Sequence, residues 1–593
     1  MNIKKNVYST KDFILIPFQA SPIGAILFIV LKLSEGVIPG LLVLFTASFI
    51  DQAVVAFQMG TITYVLAPLI GILVCISLSW TLNIINNFVN SYLGIKINQQ
   101  LRLSMAEKRN KLLYCYLEDN EIYELVQRVG KNAGDRIIEG FTTLMDLTAL
   151  VVQILGLISI IAIQIWWAAL LVVGVSVPLF VLAAKSGKED YQAYEEAAEY
   201  VRKADYLKKV LSARETADER FLFGFTDRLN KKWLTLFHEA KKIELRATAW
   251  NFIRMKTAGL LTISISVISA FSLLYPAAYG AISVGMYISL VNGVFNLVEN
   301  VSWNLTNLFR AHIENLEYLK DFSVFASLEE QEGAQDLPTK GMLVREVEFK
   351  NVFFSYPGSD VPVLKGLSIK LYKNNQYAIV GKNGAGKSTL IKLLLGLYDN
   401  YSGEILINNK ELRTYSATER KGFFSAVFQD FSKYSISIYD NIALGKAEDM
   451  EHIKLEKVLE ELELTEKIAE LPDGIDTKLG KIDQNSVDVS GGQWQRISIA
   501  RSLVSGRDVR ILDEPTAALD PVSESRIYQL FASMTKGIIG ILITHRLGAA
   551  SIADKIIVIE DGVVAEQGTH EELIEQNGIY AEMYEAQRSW YYE

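Results

Sequence analysis

Six long apolar segments in the first half of the chain constrain its fold more than any other feature of the sequence. A helix needs about 20 apolar residues to cross the hydrocarbon core of a bilayer. Segments that meet this requirement occupy residues 22–48, 62–93, 139–162, 165–185, 250–276 and 281–304. The sequence therefore predicts six membrane-spanning helices in this half of the chain.

Positive charge is distributed unevenly among the segments that join these apolar runs. Lys and Arg are frequent in residues 96–136 and 185–246, whereas the short joins near residues 59, 166 and 279 contain neither. Loops that are rich in Lys and Arg stay on the cytoplasmic side of a membrane. We therefore expect both long loops, the amino terminus and the carboxyl-terminal half to be cytoplasmic.

The amino end resembles a secretion signal only superficially. Lys4, Lys5 and Lys11 precede the first apolar run, but this run continues past the length of a signal peptide. It also lacks a convincing small-residue cleavage site, so we expect the segment to be retained.

The two positively charged loops, about residues 95–138 and 186–247, are predicted to be helical. Leu, Tyr, Val and Ala are spaced between charged residues there, and Gly and Pro are almost absent. Acidic residues are interleaved with Tyr or Phe near Leu117 to Leu125 and near Asp218 to Phe225. We predict that these two tips contact the soluble half; plain solvated helices are the alternative.

Polar residues recur at helical spacing within two of the predicted spans. One stripe contains Asn83, Asn86, Asn87 and Asn90, and the other contains Asn292, Asn296, Glu299, Asn300 and Trp303. Polar groups that face lipid are costly, so each stripe is expected to face either neighbouring helices or a wet cavity. The sequence does not decide between these two environments.

Three charged residues fall inside or near the predicted spans. Lys32 and Glu35 are three residues apart in the first span, so they are expected to pair with one another. Asp146 either lies in a cavity or indicates that the boundary of the third span is misplaced.

Composition excludes several classes of function for the chain, whose second half is mixed in character beyond about Val344. The net charge of −9 and the lack of a basic stripe argue against nucleic-acid binding. Cys75 and Cys115 are the only cysteines, so neither a disulfide framework nor a metal cluster is expected.

A phosphate-binding pattern, G-x-x-x-x-G-K-[ST], begins the soluble half. It comprises Gly381, Lys382, Asn383, Gly384, Ala385, Gly386, Lys387, Ser388 and Thr389. Glycines let backbone N–H groups turn inward around a phosphate, Lys387 reaches the β and γ phosphates, and Ser388 offers a hydroxyl to Mg²⁺. A short apolar strand before the loop and an apolar helical run after it support this interpretation, and they predict ATP and Mg²⁺ as cofactors.

Five further motifs follow in a fixed order. They are Val427-Phe428-Gln429-Asp430, Val489-Ser490-Gly491-Gly492-Gln493, Ile511-Leu512-Asp513-Glu514-Pro515, Ala518-Leu519-Asp520 and Thr544-His545-Arg546. Any one of them alone would be weak evidence, but the ordered set is very specific. Residues 344–588 resemble the ATP-binding cassette (ABC) ATPases, and the whole chain resembles a half-transporter of the ABC exporter type, also called the type IV fold.

This resemblance implies how nucleotide and metal are held. Tyr356 matches the aromatic residue that stacks on adenine, although a Tyr at the end of a strand is the alternative interpretation. Ser388, Gln429 and Asp513 match the magnesium ligands, with Asp513 expected to act through water because Mg²⁺ retains several waters. Asp520 is placed among the nucleotide-binding residues.

The resemblance also assigns catalytic roles. Glu514 matches the residue that polarises the attacking water, His545 matches the switch residue at the γ phosphate, and Gln429 matches the coordinator of Mg²⁺ and water. With Lys387, these residues would act by positioning and charge stabilisation, since phosphoryl transfer requires little covalent participation from a protein.

In this family the signature Ser490-Gly491-Gly492-Gln493 caps the γ phosphate that the opposing subunit binds. Hydrolysis would therefore need two cassettes face to face. Because the catalytic set is intact, including Glu514, we expect a homodimer; pairing with a different half-transporter is the alternative.

Three departures from the family pattern stand out. Val489 replaces the usual Leu, and Arg510 interrupts the apolar run before Leu512, which questions the burial of that strand. Residues 481–486 also lack the Glu-containing stretch that is common in multidrug exporters, so a multidrug function is less favoured.

The predicted fold is a membrane all-α domain of six helices with long cytoplasmic extensions, followed by an α/β P-loop ABC ATPase domain. The predicted boundaries are 1–330 for the membrane domain, 331–343 for a linker and 344–593 for the ATPase. The compact half-transporter layout favours a multi-pass protein of the bacterial cytoplasmic membrane.

The predicted function is ATP-driven export by alternating access. Asn and Glu stripes suit the polar backbone of a small or modified peptide; lipids or amphipathic drugs are the alternative substrates. A metal-chelate importer and a nucleotide-gated channel or regulator are further alternatives, and the intact Glu514 argues against the channel. No protease domain precedes the first span, so the chain is not expected to trim a leader.

Overall fold

The structure is a computed structural model that describes residues 3, 6–60, 62–214, 216–339, 343–445, 452–481, 486–514 and 521–592. The chain divides into two compact units. The first unit comprises Met1–Lys108 and Glu124–Leu328, and the second comprises Arg109–Tyr123 and Glu329–Glu593.

Helices dominate the chain up to Ser327. In order, they are α1 (Asp12–Ala20), α2 (Pro22–Met59), α3 (Thr63–Lys111), α4 (Tyr114–Glu118), α5 (Asn120–Lys131), α6 (Ala133–Gln164), α7 (Trp166–Ser212), α8 (Ala217–Phe223), α9 (Thr226–Ala278) and α10 (Val284–Ser327). Each of the six predicted spans coincides with a different long helix. Four of these helices begin within three residues of the predicted start, whereas α6 begins at Ala133 and α9 at Thr226, ahead of the predicted residues 139 and 250. Among the described residues, α2, α3 and α6 are long and apolar enough to cross a membrane.

Local sequence explains where these long helices begin and end. The Ser21 side chain accepts a hydrogen bond from the Gly24 amide at 3.4 Å, and Pro22 occupies the first helical position of α2. The same helix ends at Met59 and is followed by Gly60, whose φ of +71° is left-handed and costs little for glycine. Ser283 caps α10 in the same way, accepting from the Met286 amide at 3.1 Å.

Small residues let the long helices of the first unit approach one another closely. A Cβ added to Gly36 on α2 would lie 2.6 Å from the Ala149 carbonyl oxygen on α6, and one added to Gly285 on α10 would lie 2.1 Å from the Ala47 carbonyl oxygen. The Gly285 amide also donates to Asp51 Oδ1 at 2.7 Å. Glycine at these contacts permits the close packing on which helix association in a bilayer depends.

The second unit contains two sheets. Its strands are β1 (Glu346–Phe354), β2 (Leu364–Tyr372), β3 (Gln376–Val380), β4 (Ser402–Ile407), β5 (Lys410–Glu411), β6 (Phe424–Val427), β7 (Val509–Asp513), β8 (Ile539–Ile543), β9 (Lys555–Glu560) and β10 (Val563–Gly568). An antiparallel sheet has the order β2-β1-β4-β5, and a six-stranded sheet has the order β10-β9-β3-β8-β7-β6. In the larger sheet, only β10 is antiparallel to its neighbour.

Helices cover the strands of this unit. They are α11 (Lys387–Leu394), α12 (Ala417–Phe423), α13 (Ile438–Ala443), α14 (His452–Glu461), α15 (Thr465–Ala469), α16 (Gly491–Val504), α17 (Pro521–Met534), α18 (Leu547–Ala550), α19 (His570–Glu575) and α20 (Ile579–Tyr592). Every residue of β7 and of β8 is buried, as expected for parallel strands that are covered on both faces.

Arg510 does not interrupt the burial of β7. Its side chain is buried, and Nη1 donates to the Met534 carbonyl at 2.9 Å. Burial lowers the pKa of this guanidinium to about 10. The doubt that Arg510 raised about the burial of this strand is therefore resolved, because β7 is buried throughout. The guanidinium Nε is buried too, without a hydrogen-bond partner among the described residues.

A short upstream segment completes the second unit. Within Arg109–Tyr123, Leu112 forms a β-bridge with Glu330, and the Gln331 amide donates to the Lys111 carbonyl at 2.6 Å. This segment contains α4 and the first residues of α5, and it includes residues 117–123 of the first predicted contact tip.

Candidate functional site

The larger sheet gathers the predicted catalytic motifs at one edge. The phosphate loop follows β3, Gln429 follows β6, Glu514 follows β7 and His545 follows β8. These four strands are parallel neighbours, so their carboxyl ends lie side by side, which is where open α/β sheets bind ligands. The parallel pairing alone thus brings together residues that are more than 160 positions apart in sequence.

The phosphate loop adopts the conformations that its glycines allow. Gly381, Gly384 and Gly386 have φ values of +151°, +80° and +103°. A Cβ on Gly381 would lie 2.2 Å from the Ile559 carbonyl oxygen, so a side chain at this position would clash with β9. The loop leads directly into α11, whose first residue is Lys387, so the positive end of the helix dipole faces the loop.

Lys387 is held against its own loop. Its Nζ donates to the Gly381 carbonyl at 2.8 Å and to the Lys382 carbonyl at 3.0 Å. Burial lowers the pKa of this ammonium group, while the carboxylates of Glu514 and Asp513 act in the opposite direction. The side chain is therefore already fixed at the loop that is predicted to receive phosphate.

Glu514 is the centre of a three-residue cluster. Its Oε2 accepts from Gln429 Nε2 at 3.0 Å, and its Oε1 lies 2.7 Å from His545 Nε2. Glu514 has a left-handed φ of +47°, and its amide donates to the Ile543 carbonyl on β8 at 3.0 Å. The backbone is thus bent at the end of β7 so that the carboxylate reaches both partners.

Burial and neighbouring charges shift the pKa values of Asp513 and His545. Burial, and then the charge of Glu514, raise the pKa of Asp513 to about 6, against the opposing effect of Lys387. Burial and the charge of Lys387 lower the pKa of His545, against Glu514. At neutral pH the imidazole is neutral, so it can share a proton with Glu514 or present a donor to a phosphate oxygen.

The predicted magnesium ligands are all oxygen donors. Ser388 is exposed at the start of α11, Asp513 is buried at the end of β7, and Gln429 is exposed after β6. A hydroxyl, a carboxylate and an amide oxygen suit a hard cation such as Mg²⁺. The chemistry of these residues therefore fits the ion, whereas Asp520 lies outside the described residues.

Tyr356 is half-buried beside the phosphate loop. Its hydroxyl lies 2.9 Å from Thr389 Oγ1, and its ring meets Phe354 and Tyr398 edge-on at 5.1 and 5.5 Å. Lys392 Nζ lies 5.5 Å from the centre of the same ring. The ring is thus held at its edges and its hydroxyl, which fixes its orientation for a stacking partner.

The tip residue Glu118 joins this aromatic cluster. Its carboxylate contacts Lys392 Nζ and the hydroxyl of Tyr398, and it accepts from the Tyr114 hydroxyl at 2.9 Å. Burial opposes ionisation of Glu118, but these hydrogen bonds outweigh it and hold its pKa below the ordinary value. Lys392 Nζ lies within 6 Å of the rings of both Tyr114 and Tyr356.

Sequence reasoning missed Lys392 and Tyr398. The signal available was the position of Lys392 on the loop helix, five residues after Lys387. No local pattern identifies its partner Glu118, which is 274 positions away.

The signature residues form a separate part of the second unit. Ser490 and Gln493 make a reciprocal capping box at the start of α16, with distances of 2.8 and 3.3 Å. They line a cavity of about 1150 Å³ that contains, among the described residues, none from the phosphate loop. The loop and the signature of one chain are therefore not part of one cavity.

Polar residues of the first unit line a cavity of about 480 Å³. Lys32 makes ion pairs with Glu35 at 3.1 Å and with Asp146 at 2.8 Å, so the predicted pair has a third member. Asp146 lies within α6, and Arg310 on α10 lines the same cavity.

The two predicted polar stripes have mixed environments. Asn86 donates to Glu35 at 3.1 Å and Asn90 accepts from Thr142 at 3.1 Å, so these two face neighbouring helices. Asn83 and Asn87 are exposed and bond to one another. In the second stripe, Asn292 and Asn296 line a cavity of about 290 Å³, whereas the side chains of Glu299, Asn300 and Trp303 lie outside those that the structure describes.

Comparison with known proteins identifies the family to which the chain belongs. The family described as ABC transporter transmembrane region matches residues 25–298, and the family described as ABC transporter matches residues 364–517. The subtilin transport ATP-binding protein SpaT of Bacillus subtilis is 31% identical over 515 residues, which is 85% of this chain and 82% of SpaT. This chain belongs to the ABC transporter family.

Two further relatives define how far the similarity extends. The ATP-dependent lipid A-core flippase of Escherichia coli K12 is 38% identical over 242 residues, which is 41% of each chain. The structure of a bacterial Atm1-family ABC exporter with ATP bound covers 96% of this chain and 98% of its own, with a TM-score of 0.77 and 23% identity. The last similarity shows the fold.

These comparisons confirm the predicted class of this ABC transporter. It is an exporter-type half-transporter, with a helical membrane region followed by an ATPase domain that binds ATP and couples its hydrolysis to transport. The half-transporter fold implies assembly as a dimer in a membrane. The roles of individual site residues remain predictions.

Proposed function

We propose that this ABC transporter exports a small or modified peptide across the bacterial cytoplasmic membrane as a homodimer. The observation that carries the proposal is the lining of the two cavities in the first unit. Asn292, Asn296 and Gln153 line one of them, and Asn304 and Asn307 line the other. Side-chain amides both donate and accept hydrogen bonds, so they can satisfy a peptide backbone that an apolar pocket would leave unpaired.

Similarity supports the same substrate class. SpaT of Bacillus subtilis, which matches this chain over 82% of its own length, is named as a subtilin transport protein. The lipid A-core flippase matches over 41% of its length. The peptide proposal therefore agrees with the longer match, and a lipid substrate becomes an outcome for experiment to test.

ATP turnover in this proposal depends on the cluster at the sheet edge. Glu514 orients the attacking water, His545 contacts the γ phosphate, and Lys387 stabilises the phosphate charge. Ser388, Gln429 and Asp513 would hold Mg²⁺, which would neutralise the charge that develops on the phosphates. Tyr356 would stack on adenine.

Transport requires two such sites, in our proposal. Ser490 and Gly491 of one copy would cap the nucleotide that the phosphate loop of the other copy binds. ATP would then favour the closed pair of ATPase domains, and hydrolysis would release it, so nucleotide shifts the population between two states of the cavity. The ATPase domains and the amino terminus would face the cytoplasm.

Proteoliposomes containing the purified protein test this function. We expect ATP turnover to rise on addition of short peptides, and labelled peptide to accumulate inside inverted vesicles against its gradient, with Glu514→Gln as the inactive control. Stimulation by lipid and not by peptide would contradict the substrate class. Equilibration of the solute without accumulation would instead indicate a channel.

A further inference from the structure

The cavity of about 480 Å³ in the first unit carries separated charges of both signs. Its charged lining residues are Lys32, Glu35, Asp146 and Arg310. At neutral pH their formal charges sum to zero, because two are cationic and two are anionic. A cavity of this volume is large enough to hold a ligand of a few residues.

Negative charge is in excess within the ion-pair cluster of Lys32, Glu35 and Asp146. Lys32 is shared between two carboxylates, at 3.1 Å from Glu35 Oε2 and 2.8 Å from Asp146 Oδ1. One ammonium group compensates only one of the two negative charges. About a third of each carboxylate side chain remains exposed, whereas Lys32 is only 15% exposed. The two carboxylates are therefore partly accessible, and together with Lys32 they form a cluster with a formal net charge of −1.

The position of Glu35 is fixed from a third helix. Asn86 Nδ2 on α3 donates to Glu35 Oε2 at 3.1 Å, so this oxygen accepts from both Asn86 and Lys32. Residues of α2, α3 and α6 thus hold the acidic pair in place before any ligand arrives. A preorganised charged group loses little entropy on binding.

Positive charge that is separate from the Lys32 ion pairs comes from α10, which also lines this cavity. Arg310 on α10 is exposed, and it forms no ion pair or hydrogen bond with any residue that the structure describes. A guanidinium presents five donors in a planar fork that matches a carboxylate. The ion-pair cluster of Lys32 therefore leaves Arg310 available for an anionic group.

We propose that this cavity is a subsite for a zwitterionic part of the substrate, with an ammonium group at Asp146 and Glu35 and a carboxylate at Arg310. The inference rests on the proposed function, and it narrows the peptide to one that carries a lysine-like side chain near a free carboxyl terminus. A polyanionic lipid headgroup would be repelled by the excess negative charge of Glu35 and Asp146. An uncharged drug would leave both charges of the subsite unpaired.

Four forms of one peptide test the proposal on the wild-type protein. The probe is an N-acetylated tetrapeptide with a single lysine and a free carboxyl terminus. Its three relatives have an acetylated lysine, an amidated carboxyl terminus, or both. Half-maximal stimulation of ATP turnover in proteoliposomes should require about tenfold less of the zwitterionic form than of either singly charged form.

Two variants test which residue recognises each charge of the peptide. Arg310→Gln should abolish the preference for free carboxylate over amide while keeping the preference for free lysine. Asp146→Asn should produce the opposite pattern. Arg228→Gln, which removes an exposed charge from α9, is the matched control and should keep both preferences.

The outcomes distinguish failure of the subsite proposal from failure of the proposed function. Equal stimulation by all four peptides would overturn the subsite while peptide export stands. Stimulation by lipid alone, with none by any peptide, would overturn both. If Asp146→Asn does not fold, the four peptides still test the subsite on the wild type and on Arg310→Gln. The latter variant is expected to fold, because Arg310 is exposed. Loss of stimulation by all four forms to the same extent in Arg310→Gln would mean that this residue is structural.

Discussion

At the scale of single residues, the phosphate loop and the Glu514 cluster depend on backbone conformations that few residues tolerate. Gly381 combines a φ of +151° with a close approach to the Ile559 carbonyl. Glu514 adopts a left-handed φ of +47° without the freedom of glycine. Such conformations cost about 1–3 kcal/mol each and occur most often at functional sites.

Gly381→Ala should weaken ATP binding by about tenfold or more, because the new Cβ would push the loop away from β9. Gly548→Ala is the matched control, since a Cβ added there would meet nothing within 4 Å. Fluorescent nucleotide titration of the full-length protein in detergent measures both. Unchanged affinity in Gly381→Ala would contradict the role of this close contact.

Glu514→Gln should reduce ATP hydrolysis by about 100-fold or more while nucleotide binding persists, since the amide cannot accept a proton from water. The hydrogen bond from Gln429 to this position can remain, because an amide oxygen also accepts. Phosphate release and nucleotide binding should be measured on the same preparation. Turnover at the wild-type level would show that another group activates the water.

At the scale of elements, helix α4 is joined to the aromatic cluster beside the phosphate loop. Glu118 on α4 contacts Lys392 on α11, and Tyr114 meets Tyr398 edge-on at 5.6 Å. Tyr398 in turn meets Tyr356. A nucleotide that stacks on Tyr356 would therefore contact a ring whose neighbours also hold α4.

Glu118→Gln should lower the free energy of unfolding of the protein by about 1 kcal/mol at neutral pH, a figure reduced by solvent screening of a partly exposed pair. The folded pKa of Glu118 lies below its unfolded value, so the stabilisation is present above the unfolded pKa near 4.5 and is lost as pH falls through the folded pKa. The stability difference between wild type and variant should therefore shrink on acidification from about pH 6 to pH 3.

Chemical denaturation at several pH values, monitored by tryptophan fluorescence, measures this difference. Glu121→Gln provides a control on α5, because Glu121 is exposed. A difference that stays constant down to pH 3 would mean that the charge of Glu118 does not stabilise the contact.

Much of the fold at this scale could be predicted from the sequence. Hydrophobic length identified six long helices, and ordered motifs identified the ATPase, because both signals are local in sequence. The pairing of Lys32 with Asp146 and of Glu118 with Lys392 could not be predicted, since each joins residues more than 100 positions apart. Local patterns indicate which residues are charged; only the packed helices and sheets determine their partners.

At the scale of the whole molecule, the signature must act on a nucleotide of the second copy if the proposed dimer is correct. Within one chain, the cavity at Ser490 contains no described residue of the phosphate loop. The two parts of a working site would therefore come from different copies.

Mixed dimers test this arrangement. A dimer of Glu514→Gln with Ser490→Ala would place both defects in one shared site and leave the other intact, so ATP turnover should persist. A dimer of wild type with the double variant would place one defect in each site, so turnover should fall to the level of the inactive controls. The reverse ranking of these two dimers would show that each chain uses its own signature.

The segment Arg109–Tyr123 has a practical consequence for dissecting this transporter. A soluble fragment that begins at residue 329 would lack both Glu118 and Tyr114. The Lys392 ammonium would then lose its carboxylate partner, and the part of the Tyr398 ring that Tyr114 contacts would become exposed. Such a fragment would be prone to aggregate through that newly bared aromatic surface. The compact unit of this half is discontinuous in sequence, so a fragment that has residues 109–123 grafted back onto it should recover solubility.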